Sequence, residues 1–126
     1  MLSAKDILSM QHIVRRVPVS DHVVAYATRL ARATRPKDPT APDFIKNYIS
    51  CGCGPRAGQY LILGAKAKAL MDGRVNVSCG DVRHLALPIM RHRMFSNFNA
   101  SAEGVDIDDI VTQLLQTIPE PGEGDY

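Results

Sequence analysis

Apolar residues recur at three- and four-residue spacing along most of the chain, which is the pattern of amphipathic α-helices. Ser, Asp or a Gly-Pro pair precedes these runs, and Pro or Gly follows most of them, as is usual at helix ends. The pattern predicts five helices, at about residues 3–16, 20–34, 55–72, 78–93 and 106–118. We therefore expect an all-α fold, a four- to five-helix bundle.

The remaining stretches predict loops. Three prolines between residues 35 and 43 indicate a loop, whereas residues 44–50 fit either a short extended piece or a single helical turn. The run 94–104 looks irregular. Pro88 falls inside the fourth helix and should kink or split it. Any strand should lie near 44–50, 74–77 or 94–98.

The predicted helix at 55–72 differs from the others in being apolar nearly all round and rich in Gly and Ala. Such a helix belongs in the middle of a bundle. We expect it to be the most buried element, with Leu61 and Leu70 in the core.

Length and composition are those of one ordinary globular domain of 126 residues. We assign residues 1–121 to this domain and predict a disordered tail over 122–126. The sequence has no apolar run of the roughly 18–20 residues that a membrane span needs, and its start does not resemble a signal peptide. Three cysteines exclude a fully paired disulfide framework and favour a reducing, cytoplasmic location.

The net charge of +2 is unevenly distributed. Residues 1–105 carry 15 Lys and Arg against 7 acids, a balance of +8, and residues 106–126 carry six acids and no base. The basic body could face a nucleotide or nucleic acid, or its arginines and lysines could simply be solvated on helix surfaces.

Motifs for independent catalysis are absent from the sequence, which has no His-Glu-x-x-His, no Gly-x-Ser-x-Gly and no phosphate-binding loop. The four histidines are scattered and fit surface or capping positions. A zinc site could be assembled on paper from Cys51, Cys53, Cys79 and His84, but only one residue separates the first pair. We therefore predict no metal site.

Arg56 is the most informative residue. If Gly54 is the N-cap and Pro55 the first helical residue, Arg56 lies in the first turn of a helix, where a cation opposes the macrodipole. The placement makes sense if an anion is shared between the guanidinium and the helix N-terminus. The alternative is an arginine that bends back to a nearby carboxylate or carbonyl group.

The segment Gly54-Pro55-Arg56-Ala57 with the helix behind it resembles the sensor-2 element of the MoxR branch of AAA+ ATPases. The family's usual form is Gly-Ala-Ser-Pro-Arg-Ala, and its arginine reaches the γ-phosphate of ATP bound to the preceding large domain. The resemblance covers residues 2–121. Its other parts are residues 2–17, Val19-Ser20-Asp21, residues 74–78 with Asp81-Val82, Leu87-Pro88 and Arg91-His92-Arg93.

The resemblance implies the C-terminal lid domain of such an ATPase. It assigns a catalytic role to Arg56 and nucleotide contact to Gly54, Pro55, Arg56 and Ala57. ATP and Mg²⁺ would be held together with a large domain that this sequence lacks, in a ring-shaped homo-oligomer that acts as a chaperone in protein or metal-cofactor assembly. The lid alone would not hydrolyse ATP. Gly52-Cys53-Gly54 departs from the family pattern, and we expect a looser turn there.

Two other classes of function remain open. A basic helical nucleic-acid-binding module would use Arg29, Arg32, Arg35 and the Arg91-His92-Arg93 run. A stand-alone protein-interaction bundle needs no particular site.

Overall fold

The computed structural model describes residues 2–120. In chain order the elements are α1 (Ala4–Arg16), α2 (Asp21–Ala33), α3 (Asp43–Tyr48), β1 (Ile49–Cys51), α4 (Pro55–Met71), α5 (Cys79–Met90), β2 (Phe95–Ser96), α6 (Phe98–Glu103) and α7 (Ile107–Thr117). The five long helices match the five predicted ones, so the all-α bundle is confirmed. The tail predicted for 122–126 lies outside the described residues.

The bundle is built around α4, which packs against α1, α2 and α5, while α7 packs against α5 and α2. The core is made mostly by Ala, Val, Leu and Ile, with buried Met and Cys side chains and, within residues 2–120, one fully buried aromatic residue, Tyr26. Arg83 reaches this ring from α5: its Nη1 donates to the Tyr26 hydroxyl at 3.2 Å and to the Leu115 carbonyl of α7 at 2.8 Å. One side chain thus ties three helices together.

The expectation that α4 is the most buried element is wrong. Four of its 17 residues are buried, whereas α2 buries six of 13. The apolar residues of α4 are spread around its circumference, so each neighbour covers only part of them. The single apolar stripe of α2 is covered completely.

Two short helices and a two-stranded sheet complete the fold. The segment at 44–50 contains both a helical turn and an extended piece, because α3 runs directly into β1. The run 94–104 is not wholly irregular: β2 pairs antiparallel with β1, with Ile49 opposite Ser96, and α6 follows. Asn97 joins the two regions, since its N–H donates to the Tyr48 carbonyl at 2.8 Å.

Pro88 does not split α5, which continues to Met90. Proline removes the hydrogen bond to the carbonyl four residues earlier, and here it does so in the last turn, on the solvent side. The helix ends soon afterwards, earlier than the predicted residue 93.

Candidate functional site

Arg56 is the second residue of α4. Gly54 is the N-cap, in an extended conformation with φ −80° and ψ −179°, and Pro55 occupies the first helical position, as the sequence predicts. The Arg56 side chain is exposed, and within residues 2–120 neither its guanidinium nor its N–H has a hydrogen-bond or ion-pair partner. The bent-back arginine considered from the sequence is thus not what these residues form.

The electrostatics at this helix start are uniformly positive. The first turn of α4 contains no acidic residue, so the positive end of the helix dipole and the Arg56 charge act on the same region. An anion placed there would gain from both and from the Arg56 N–H, which has no partner within residues 2–120.

The other motif residues divide between surface and core. Gly54 and Pro55 are exposed, and a Cβ at Gly54 would meet nothing within 4 Å. Ala57 is buried, and its N–H donates to the Gly54 carbonyl at 3.1 Å. Its side chain therefore packs in the core and holds the first turn of α4 against the bundle.

The turn that precedes α4 is not loose, contrary to the expectation from the sequence. The Cys53 N–H donates to the Thr34 hydroxyl at 2.9 Å, and the Cys53 carbonyl accepts from Arg35 Nε at 2.9 Å. Thr34 is the C-cap residue of α2 and is fully buried. Both backbone polar groups of Cys53 are thus held by consecutive residues at the end of another helix.

The three cysteines are free thiols. Cys53 and Cys79 are buried, and burial raises the pKa of both thiols, whereas Cys51 is exposed. Between residues 2 and 120, no three His, Cys, Asp or Glu side chains come close enough together to hold a metal ion.

A second cation lies on the same side of α4. The Arg93 guanidinium stacks on the Tyr60 ring at 4.5 Å from its centroid, and Tyr60 is one helical turn beyond Arg56. Residues four apart share a helix face, so Tyr60, with the Arg93 guanidinium stacked on it, lies on the same face as Arg56.

Several arginines considered for nucleic-acid contact have partners within the bundle. Arg32 Nε pairs with Asp38 at 3.1 Å, and Arg91 Nη2 with Asp108 at 3.4 Å. Arg35 holds the Cys53 carbonyl. The two ion pairs lower the positive charge available to a phosphate backbone, and the bond to Cys53 holds Arg35 in place.

Comparison with known proteins identifies the family. The model of the AAA lid domain family matches residues 43–114, more than half of the chain and all of the segment that carries Arg56. The chain belongs to this family. A crystal structure of a candidate ATPase from Cytophaga hutchinsonii has the same fold, with a TM-score of 0.87 and 28% identity over 94% of this chain.

The relatives of this lid domain point to the MoxR branch. Chaperone MoxR1 of Mycobacterium tuberculosis is 30% identical over 96% of the chain, and the uncharacterized protein YeaC of Bacillus subtilis is 26% identical over the same share. Protein MoxR of Paracoccus denitrificans is 33% identical over 58% of it. The chain spans about a third of the length of the first two (32% and 35%) and 36% of the Cytophaga chain.

None of the helices between residues 2 and 120 is long and apolar enough to cross a membrane.

Two contacts could not be read from the sequence. These are the contact of Thr34 and Arg35 with Cys53, in the turn before Arg56, and the stacking of Arg93 on Tyr60. Thr34 sits 19 residues from Cys53, and Arg93 sits 33 residues from Tyr60. The one available signal was the resemblance at Arg91-His92-Arg93, which indicated an arginine there without indicating its partner.

Proposed function

We propose that this lid domain closes over ATP bound to a large ATPase domain and that Arg56 contacts the γ-phosphate. The observation that carries the proposal is the exposed guanidinium of Arg56, without a partner among the described residues, at the start of α4 in a chain of the AAA lid family. A planar guanidinium can bind phosphate oxygens through two parallel hydrogen bonds.

The residues at the start of α4 suit the terminal phosphate of a nucleotide, and the rest of the nucleotide would need other groups. The Arg56 guanidinium, its backbone N–H and the positive end of the α4 dipole favour an anion. Mg²⁺ and the rest of the nucleotide would be held by the large domain, because the first turn of α4 offers no carboxylate. When bound, Mg²⁺ supplies charge neutralisation on the β- and γ-phosphates.

In this proposal Arg56 has two roles. It stabilises negative charge on the γ-phosphoryl group during transfer, and loss of that group after hydrolysis releases the lid. Rotation of the lid in a homo-oligomeric ring would then act on a client protein, in a chaperone-like role in protein or metal-cofactor assembly. The MoxR1 name supports the chaperone part of this proposal. A cytoplasmic location stays a prediction from the cysteine count.

The test is ATP turnover in the protein that carries this lid together with its ATPase domain. We expect Arg56→Ala to lower turnover roughly 100- to 1,000-fold, the scale of losing one preorganised donor to a developing charge. Arg56→Lys should restore only part of it, because an ammonium group cannot form the same planar pair of hydrogen bonds. Far-UV circular dichroism should show that both variants keep the helical fold.

Arg32→Ala is the matched control, since it removes an arginine of α2 that pairs with Asp38 in the loop after this helix. Its turnover should stay within about twofold of wild type, because surface ion pairs contribute little. Wild-type turnover in a folded Arg56→Ala protein would refute the proposal. If the protein purifies with no ATPase domain, either in its own chain or in a bound partner, the alternative of a stand-alone protein-interaction bundle would be favoured.

A further inference from the structure

The loop in front of Arg56 is held by the end of α2 through both backbone polar groups of one residue, Cys53. The Thr34 hydroxyl accepts from the Cys53 N–H at 2.9 Å and itself donates to the Ala31 carbonyl at 2.6 Å. Its hydrogen-bonding geometry is therefore fixed from both sides. Arg35 Nε holds the Cys53 carbonyl at 2.9 Å.

The neighbouring glycine makes this close approach possible. A Cβ at Gly52 would lie 2.2 Å from the Thr34 carbonyl oxygen and 2.7 Å from the Arg35 nitrogen. Real Cβ atoms do not approach backbone atoms so closely, and only glycine has no Cβ. The loop and the end of α2 are thus in direct backbone contact, which explains why glycine stands at this position.

Little freedom remains between this anchor and Arg56. Cys53 precedes Arg56 by three residues, Gly54 is the helix N-cap, and Pro55 has its φ angle fixed by its ring. Ala57 on the far side is buried in the core. The backbone that carries Arg56 is therefore held on both sides, while its side chain has no partner among residues 2–120.

We propose that Thr34 and Arg35 are positioning residues that fix where α4 begins and so aim Arg56 at the phosphate. This role rests on the proposed function of Arg56. In this proposal Thr34 and Arg35 act through the backbone N–H and carbonyl group of Cys53 and touch no nucleotide themselves. A displacement of about 1 Å in a reacting group is enough to cost a large factor in rate, so the precision of this anchor matters for catalysis.

The experiment uses the protein with its ATPase domain and two readouts. Thr34→Val keeps the shape of the side chain and leaves the Cys53 N–H without an acceptor. We expect ATP turnover to fall about tenfold with little change in KM for ATP, since binding by the large domain is retained. Amide hydrogen exchange at Cys53 should become at least about tenfold faster, because its hydrogen bond is gone. Thr34→Ser, which keeps the hydroxyl, should resemble wild type in both readouts.

The double variant Thr34→Val with Arg56→Ala separates positioning from a general structural effect. If Thr34 acts through Arg56, the Val substitution should change turnover less than twofold in the Arg56→Ala background. An equal tenfold loss in both backgrounds would overturn the proposal, and so would unchanged turnover in Thr34→Val. Wild-type turnover in the single variant Arg56→Ala would instead refute the proposed role of Arg56. Faster amide exchange at Cys53 in Thr34→Val would in that case still show that Thr34 holds the loop.

Thr28→Val is the matched control, because Thr28 is an exposed threonine on the same helix. It should alter neither turnover nor exchange at Cys53. If Thr34→Val does not fold, Arg35→Met supplies the same comparison from a partly exposed position, since it keeps most of the stem and removes the donor to the Cys53 carbonyl. Unchanged turnover in Arg35→Met, or an equal loss from this substitution in the wild-type and Arg56→Ala backgrounds, would then overturn the proposal.

Discussion

Single residues at helix starts follow local rules closely in this domain. Three helices begin with reciprocal capping boxes, in which the N-cap side chain and the third helical residue exchange hydrogen bonds with each other's N–H groups. The boxes pair Ser3 with Asp6, Ser78 with Asp81, and Asp106 with Asp109. All partners lie within one turn, so spacing along the sequence brings the atoms together. The Gly54-Pro55 start of α4 was predictable for the same reason.

Asp81 is the one of these carboxylates with a buried position and a charged partner. Arg74 Nη1 donates to its Oδ2 at 2.9 Å, and this hydrogen bond holds the pKa of Asp81 below its ordinary value. A depressed folded-state pKa means stabilisation that is present above the unfolded value of about 4 and is lost as the pH falls through the folded value.

We therefore expect Asp81→Asn to lower the free energy of unfolding by about 1–3 kcal/mol at pH 7, measured by urea denaturation. The gap between wild type and variant should shrink below about pH 4. Asp6→Asn is the control, since Asp6 caps the exposed α1 without an arginine partner, and it should cost under about 1 kcal/mol. A gap at Asp81 that does not change with pH would mean that its charge is not what stabilises the fold.

Contacts between distant residues set the limit of prediction at this scale. The family resemblance implied that Arg56 contacts a phosphate, and we expected a loose turn before it. The structure instead fastens that turn to Thr34 and Arg35, 19 and 18 residues away. No local spacing rule links a C-cap threonine to the loop that precedes another helix.

Among elements, the long helices were predictable and their relative burial was not. Periodicity shows which face of a helix is apolar, but not how much of that face the neighbours cover. The apolar residues of α4 surround the helix, and Leu61 is fully buried while Leu70 is only half-buried. The two short strands, β1 and β2, lie at two of the three places where the sequence allowed a strand. Their pairing with each other was beyond the pattern, because more than 40 residues separate them.

This difference in burial gives a stability prediction for α4. Leu61→Ala should lower the free energy of unfolding by about 2–5 kcal/mol, the range for truncating a fully buried leucine. Leu70→Ala on the same helix should cost clearly less, because part of that side chain already contacts water. Urea denaturation of both variants tests this. Losses under about 1 kcal/mol at Leu61, or equal losses at both positions, would contradict the packing described for α4.

For the whole molecule, α1 is the exception to an otherwise covered set of helices. It repeats the apolar spacing of the other helices, yet none of its residues is buried, and Ile7, Leu8 and Ile13 are 47%, 59% and 54% exposed. It contacts the bundle through α4, and a groove of about 560 Å³ is lined by residues of both helices. The periodicity of α1 thus predicted the helix correctly without showing that its apolar face would remain uncovered.

The exposure of α1 predicts that the domain does not unfold as one unit. Burying an apolar side chain contributes about 1.5–3 kcal/mol, and α1 buries none fully, while ordering each backbone residue costs about 1–2 kcal/mol. Local opening of α1 should therefore need much less free energy than global unfolding, and its amides should exchange at least about tenfold faster than those of α4. Hydrogen exchange read by mass spectrometry tests this on peptides from residues 4–16 and 55–71. The matched control is α7, a helix of similar length near the other end of the chain, which buries Ile110, Val111 and Leu114 and should exchange as slowly as α4. Protection in α1 equal to that in α7 would show that the whole bundle unfolds together.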